Sequence, residues 1–319
     1  MNDCKPLRPF AMDRRLALTG GLAASVLPFG SAAGGSLPQE ARSEFGTTHV
    51  NRGRATVPVR INEGRLLTFA VDSAANCSVI ASDLIEPLGL PFGERLGMHT
   101  LVGSEDVASV RAASLGSDAL TARNVRIAVG SRQAMDGLDG LLGADLLVGH
   151  RLVLNFKGRT RTRITRSRSQ ARGFFDPVVT NSRLGVTPQS RFGSLMSINV
   201  RLGSTPGTAI IDSGAGVSVL NRAAAAAGRA SPLTLVGGDG SSRIQSPTGR
   251  TAPVDLMLLP ALGFAGVTAS RLPVMVGDLH TFDIWGVADR PAMLLGVDIL
   301  GLFTSVAIDL KRGEFALTV

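Results

Sequence analysis

Short apolar runs, each bounded by glycine, serine or asparagine, recur along the chain from about residue 50 to the C-terminus. Valine, leucine and isoleucine dominate these runs, and few segments show the 3.6-residue period of a long amphipathic helix. Apolar runs of four to eight residues between turn residues are typical of strands. We therefore predict an all-β protein with few, short helices, near residues 81–88 and 221–228 and directly after positions 143 and 296.

One pattern occurs twice: an apolar run leads into an aspartate and a turn of small residues, and a second apolar run leaves that turn. The copies are FAVDSAANCSVI at residues 69–80 and AIIDSGAGVSVL at residues 209–220. Each is followed by a second repeated element, GLLGADLL at residues 140–147 and MLLGVDIL at residues 293–300. Because these elements repeat in the same order, we predict an internal duplication that presents one carboxylate loop per copy, at Asp72 and Asp212.

These motifs resemble those of the aspartic proteases, specifically the retropepsin-like group with a duplicated domain in one chain. The family motif is an apolar pair, then Asp-Thr/Ser-Gly-Ala, closed later by two apolar residues and a glycine. The second copy matches it fully, and the first departs from it at Ala74, where the family has glycine. The resemblance spans residues 50–319 and implies a two-lobed acid-protease fold, each lobe a retropepsin-like β-barrel with a short C-terminal helix.

The resemblance also implies the chemistry, with Asp72 and Asp212 as a catalytic pair at the cleft between the lobes. Two carboxyl groups about 3 Å apart share one proton, and the aspartic proteases are themselves the standard example of this behaviour. One carboxyl is then a base toward water, and the other is an acid toward the peptide carbonyl. The two loops must approach backbone to backbone, with the serine hydroxyls bonded across them. The loop-support residues are therefore Ser73, Ala74, Ser213 and Gly214.

Other chemistry-bearing residues have less specific signals. A third repeated segment, TLVG, occurs at residues 100–103 and 234–237. The family has a substrate-covering hairpin, or flap, at this place, so Gly103 and Gly237 are flap candidates. Asp145 and Asp298 each precede an apolar run, and we predict that they cap helix N-termini. The four histidines are scattered without metal-ligand spacing, so we predict neither a metal nor another cofactor. They are His49, His99, His150 and His280.

The first 35 residues are predicted to be a signal peptide. Arg14 and Arg15 precede an apolar stretch at residues 16–29, and residues 31–33 are the small residues of a cleavage site. The stretch is shorter than the ~20 residues that a permanent membrane-spanning helix needs. Paired arginines resemble a twin-arginine signal, but the flanking residues depart from its usual pattern and leave the general secretory route open. Either route predicts an exported bacterial protein located in the periplasm.

The rest of the chain divides at a basic segment. We predict an N-terminal lobe at residues 36–160, a basic linker at residues 161–190 and a C-terminal lobe at residues 191–319. The formal net charge is +8 at pH 7, and Lys157 with six arginines between positions 159 and 172 supplies much of the excess. Such a run can bind nucleic acid or an anionic membrane surface. Without interleaved aromatic residues, a solvated linker or edge strand is favoured, with no nucleic-acid partner and weak membrane-surface contact at most.

The sequence thus predicts a monomeric, exported aspartic endopeptidase that acts on polypeptides. A catalytically impaired relative that binds peptides in the same cleft stays open as an alternative, because Ala74 adds a methyl group where the loops should be closest. A one-lobed enzyme that pairs with a second copy through its intact second motif is disfavoured by the length of the chain and by the repeat.

Overall fold

The computed structural model describes residues 54–117, 119–156, 162–167, 189–191, 195–233 and 241–318. In these ranges most residues lie in strands, and the helices are few and short, which confirms the all-β fold class. The predicted signal peptide and most of the predicted basic linker lie outside them. None of the helices in the described ranges is long and apolar enough to cross a membrane.

The first lobe is a closed barrel of six strands. Its elements are β1 (Thr56–Ile61), β2 (Leu66–Val71), β3 (Val79–Ala81), β4 (Leu96–Thr100), β5 (Gly103–Val107), β6 (Ser109–Ser117), β7 (Leu120–Gly130), β8 (Gly140–Leu142) and α1 (Ala144–Leu147), with a short 3-10 helix at Ser82–Leu84. The barrel closes in the order β1-β2-β8-β3-β7-β6, while β4 and β5 form a separate hairpin. Alternate residues of β1, Val57, Val59 and Ile61, are buried, as expected of a strand with one face on the core.

The chain then forms β9 (His150–Asn155) and β10 (Arg163–Arg166) before it enters the second lobe. The elements of that lobe are β11 (Gln189–Arg191), β12 (Leu195–Leu202), β13 (Thr205–Ile211), β14 (Val219–Leu220), α2 (Arg222–Ala227), β15 (Ser231–Pro232), β16 (Ser241–Gln245), β17 (Thr251–Phe264), β18 (Val267–Val276), α3 (His280–Ile284), β19 (Ala292–Leu295) and α4 (Val297–Leu300). Six of its strands follow the path β12-β13-β19-β14-β18-β17, and a further pairing of β12 with β17 closes that path into a ring.

The two lobes share strand order and strand direction. In the first lobe β2 runs parallel to β8 and β3 runs parallel to β7, while β3 and β8 are antiparallel. In the second lobe β13 and β19, β14 and β18, and β14 and β19 repeat these three relations. The fold is therefore a two-lobed acid-protease fold, in which each aspartate motif occupies the same place in its lobe.

A four-stranded sheet joins the lobes. Its last strands are β20 (Ser305–Asp309) and β21 (Glu314–Thr318), and its order is β10-β9-β20-β21. β9, which follows the first lobe, is antiparallel to β20, which follows the second, along their whole length. β10 lies within the segment predicted to be a basic linker, and there it is an edge strand that exposes Arg163 and Arg166.

The helices agree in part with the sequence prediction. α1 and α4 begin directly after Gly143 and Gly296, and α2 matches the helix predicted at residues 221–228. The segment predicted to be helical at residues 81–88 contains only the short 3-10 helix at Ser82–Leu84. α3 was not predicted, since five residues are too few to show a helical period.

Candidate active site

The two aspartates leave equivalent strand ends. Asp72 follows β2 and Asp212 follows β13, and each strand is paired in parallel with the Leu-Leu segment of its own lobe. The Asp72 backbone N–H donates to the Leu142 carbonyl at 2.8 Å, and the Asp212 N–H donates to the Leu295 carbonyl at 3.0 Å. The two repeated elements of the sequence thus meet in each lobe, and the second fixes the backbone of the aspartate in the first.

Each carboxyl group is held by the turn that follows it. Asp72 Oδ1 accepts from the backbone N–H groups of Ala74 at 3.0 Å and of Ala75 at 2.8 Å. Asp212 Oδ1 accepts from Gly214 at 2.8 Å and from the next residue at 2.9 Å. Both loops therefore orient their carboxyl groups in the same way, and these bonds leave the Oδ2 atom of each unused.

The loops are tied to each other by their serines. The Ser73 N–H donates to Ser213 Oγ at 3.0 Å, and the Ser213 hydroxyl donates to the Val71 carbonyl at 2.7 Å. In return the Ser213 N–H donates to Ser73 Oγ at 3.1 Å, and the Ser73 hydroxyl donates to the Ile211 carbonyl at 3.0 Å. Both serines are fully buried. These are the cross-loop hydrogen bonds that the resemblance implied for the two hydroxyls.

The loops touch most closely where the second copy has glycine. A Cβ atom on Gly214 would lie 2.2 Å from Asp72 Cγ and 2.7 Å from Asp72 Cβ, so the backbone there packs directly on the opposite carboxyl. Ala74, at the matching place in the first loop, is half-buried and packs against an apolar cluster of the second lobe. Its N–H still bonds Asp72. The loops therefore meet with the Ala74 methyl group in place.

Burial and proximity perturb the acidity of the pair. Loss of water around the buried carboxyl raises the pKa of Asp72, against the effect of its backbone N–H partners. The pKa of Asp212 is raised well above its usual value, by burial and then by the Asp72 charge. Burial and their mutual repulsion therefore make it costly for both carboxyl groups to be charged at once, which favours one proton bound by the pair.

Asp145 and Asp298 do not cap helices, contrary to the sequence prediction. The N-cap residues of α1 and α4 are Gly143 and Gly296, and neither helix has a side-chain cap. Each aspartate lies in the first helical turn, where its Oδ1 accepts a hydrogen bond from the hydroxyl of a serine directly before the strand that follows the aspartate loop. These bonds are 2.8 Å from Ser78 to Asp145 and 2.6 Å from Ser218 to Asp298. Those hydroxyls accept the glycine N–H groups in turn. The two aspartates thus support the loops, and burial raises their pKa values, that of Asp145 to about 6.

The hairpin β4–β5 reaches from the first lobe over the cleft. Leu101 and Val102 at its tip pack against the apolar cluster around Trp285 of the second lobe. His99 Nδ1 lies 3.3 Å from Nε2 of His280, the first residue of α3. Burial, and secondarily His280, lower the pKa of His99, which favours the uncharged form of that ring.

A second hairpin, formed by β16 and β17, meets the first. The Arg250 Nη1 group donates to the Ser104 carbonyl at 3.1 Å, and a Cβ atom on Gly103 would lie 3.1 Å from the same nitrogen. The Pro247 carbonyl accepts the Ser131 N–H of the first lobe at 2.9 Å. Gly103 therefore lies at the tip of the β4–β5 hairpin, and its role as a flap residue stays a prediction. Gly237 lies outside the described residues, and the hairpin of the second lobe turns at residues 246–250.

Between these hairpins and the aspartate loops is a cleft that is partly open to solvent. Asp72 and Asp212 line it together with apolar side chains from both lobes. The sequence analysis missed several polar lining residues, among them Arg54 and His99. No local signal could have found them, because each enters the cleft only through the approach of distant strands. The turn at residues 246–250 did carry a signal, its Ser-Pro-Thr-Gly sequence.

Comparison with known proteins bears on the first lobe. A family model described as aspartyl protease matches residues 57–146, the segment from β1 to α1 that contains the Asp72 loop and its Leu-Leu-Gly partner. No curated protein shows significant similarity to the chain. The family match and the closed barrel together support a peptidase-type enzyme.

The raised pKa of Asp145 predicts a pH dependence of stability. The folded state holds this proton more tightly than the unfolded chain, whose value is near 3.8. The contribution is therefore complete below about pH 3.8 and is lost as the pH rises through 6, by about 2 to 3 kcal/mol. We expect Asp145→Asn, whose amide does not ionise, to lose less stability than the wild type between pH 4 and pH 7 in urea unfolding. The exposed Glu86→Gln is the matched control, and equal pH slopes for Asp145→Asn and the wild type would contradict the assignment.

Proposed function

We propose that the protein is an exported aspartic endopeptidase in which Asp72 and Asp212 activate one water to hydrolyse a peptide bond. The observation that carries this proposal is that two equivalent carboxylate loops, one from each lobe, are hydrogen-bonded to each other at the floor of one cleft. The coarser conclusion, a protease, is supported by the family match as well.

We assign opposite starting roles to the two aspartates, one as the base and the other as the acid. Asp72 takes a proton from the water as the water oxygen bonds to the carbonyl carbon, and Asp212 gives its proton to the carbonyl oxygen. In the second step the C–N bond breaks, and Asp72 returns its proton to the leaving amine. One hydroxyl of the intermediate returns a proton to Asp212, which restores the starting state.

A polypeptide suits this cleft in shape as well as in chemistry. The cleft runs between the lobes and is covered by two hairpins whose tips touch each other. An extended chain would enter once the hairpins separate and would then be sequestered from water on their return. Because both aspartates belong to one chain, the site needs no second copy, and we propose that the monomer is the active form.

The proposal of export rests on the sequence of the first 35 residues, where Arg14 and Arg15 precede an apolar stretch and a small-residue cleavage site. We expect cell fractionation to find the protein in the periplasm with this segment removed. Replacing both arginines by lysine should block export if the twin-arginine route is used, while an unchanged distribution would assign the general route. A cytoplasmic protein with its N-terminus intact would contradict export.

Ala74 favours one alternative, a relative that binds peptides without cleaving them. Its methyl group occupies the place at which the family has glycine, and small displacements of reacting groups can remove most of a catalytic effect. The alternative predicts that the wild type binds peptides and cleaves none at any pH.

The dyad is tested by amide substitution. Asp72→Asn and Asp212→Asn should each reduce cleavage of an unfolded protein by at least about 1,000-fold, because an amide can neither accept the water proton nor share one. The double variant should be no worse than the poorer single variant, since the two groups act as a unit. Circular dichroism provides the control for folding. Turnover by Asp72→Asn close to that of the wild type would exclude the dyad.

The asymmetry between the two loops gives a matched pair of variants. Gly214→Ala should reduce kcat by about 100-fold or more, because its new methyl group would displace the Asp72 carboxyl from its hydrogen bonds. Ala74→Gly should maintain or raise activity, since it removes a methyl group that the turn does not need. Its backbone cost is at most about 1 kcal/mol. A peptidase assay of both variants against the wild type tests these expectations. Loss of activity in Ala74→Gly would contradict them and would mean that Ala74 itself is required.

A further inference from the structure

Arg54 is the one lysine or arginine among the described residues that line the cleft. It lies at the start of the first lobe, just before β1, and only 18% of its side chain is exposed. Its charge is near enough to both Asp72 and Asp212 to lower the pKa of each. Removing a guanidinium from water costs free energy unless its N–H donors form hydrogen bonds. The groups that Arg54 contacts, and the donors that it leaves unpaired, therefore indicate what the cleft binds.

Within the described residues, the N–H donors of Arg54 are only partly paired with acceptors. Arg54 Nη2 lies 3.5 Å from Asp136 Oδ2, which is an ion pair too long for a good hydrogen bond. Arg54 Nε is buried and has no hydrogen-bond partner. Asp136 belongs to the turn after β7, whose residues Ala134 and Met135 line the same cleft. The ion pair therefore anchors one side of the guanidinium and leaves donors on it without an acceptor.

We propose that Arg54 binds a carboxylate of the substrate, so that the enzyme prefers polypeptides with a glutamate or aspartate near the bond that is cleaved. This inference rests on the proposed function, because it names the substrate class of the same cleft. The planar fork of a guanidinium binds a carboxylate through two parallel hydrogen bonds, and Nη2 of Arg54, whose ion pair with Asp136 is long, would be one of the two donors.

The rest of the cleft agrees with this substrate class. The dyad carries negative charge, which would repel an acidic side chain, and Arg54 supplies the opposite charge beside it. The other large lining side chains are mostly apolar. They include Met98, Leu101, Met135, Val217, Ile244 and Trp285. The favoured peptide therefore combines one acidic residue with large apolar neighbours.

An alternative is that Arg54 acts only through its charge on the two aspartates, but this role accounts for fewer of the observations than carboxylate binding does. Its effect on the acidity of Asp72 and Asp212 is smaller than that of their burial and of their backbone N–H partners. Such a role would also act equally on every substrate. The two roles thus differ in whether the effect of Arg54 depends on the substrate.

Matched peptide pairs test the proposal on the full-length protein. Each pair carries glutamate or glutamine at one of the three positions on either side of the cleaved bond, assayed at about pH 5.5, where glutamate is ionised. We expect kcat/KM to favour glutamate by about tenfold to a hundredfold at one position. Arg54→Met should bring that ratio close to one. Arg60→Met, the same change on the exposed face of β1, should leave the ratio unchanged.

Two outcomes would overturn the proposal. One is equal cleavage of glutamate and glutamine peptides by the wild type at all six positions. The other is an Arg54→Met variant that loses activity on both peptides by the same factor, which would assign a structural or purely electrostatic role. Binding of the same pairs to Asp212→Asn, followed by fluorescence anisotropy, separates this inference from the proposed function. A glutamate preference in binding without cleavage by the wild type would support the subsite and refute the endopeptidase.

Discussion

The reciprocal hydrogen bonds of Ser73 and Ser213 are the interaction on which the rest of the structure depends. Two carboxyl groups share a proton only if they are held together away from water, and here they come from separate lobes. The serine hydroxyls achieve this without any charged group, because each accepts an N–H from the opposite loop and donates to a carbonyl on the opposite strand. All these groups are buried, so removal of either hydroxyl would leave several backbone groups without partners.

The same supporting contacts surround this pair of serines in both lobes. The Leu-Leu strand accepts the backbone N–H of the aspartate, and the glycine after that strand lets the aspartate loop of the same lobe approach closely. The buried aspartate of the following helix binds the serine at the end of that loop. A Cβ atom on Gly143 or Gly296 would lie within 2.9 Å of the backbone of that loop. Because the same supporting contacts occur in each lobe, the two carboxyl groups are presented in matching orientations.

The sequence predicted those parts of the site that are local. Asp72 and Asp212 were found because strand, turn and small residues are adjacent in the chain, and the repeat made the signal specific. The all-β fold followed from the short apolar runs. Arg54 and the contact of His99 with His280 could not be predicted, since each depends on which strands lie side by side. The helix-cap prediction for Asp145 was wrong, because N-cap preferences consider only residues that are adjacent in the sequence. The Asp145 carboxylate instead accepts a hydrogen bond from buried Ser78, which is distant in the sequence.

The strand pairing that joins the lobes has a consequence for the order of events during synthesis. The first barrel closes with residues 56–142 alone, but β9 pairs with β20 about 150 residues later, and the Asp72 loop meets its partner only when the second lobe is in place. A nascent first lobe therefore presents Asp72 without Asp212. Under the proposed function, hydrolysis could begin only after the second lobe has folded against the first, so the division of the site between two lobes would keep the enzyme inactive during most of its own synthesis.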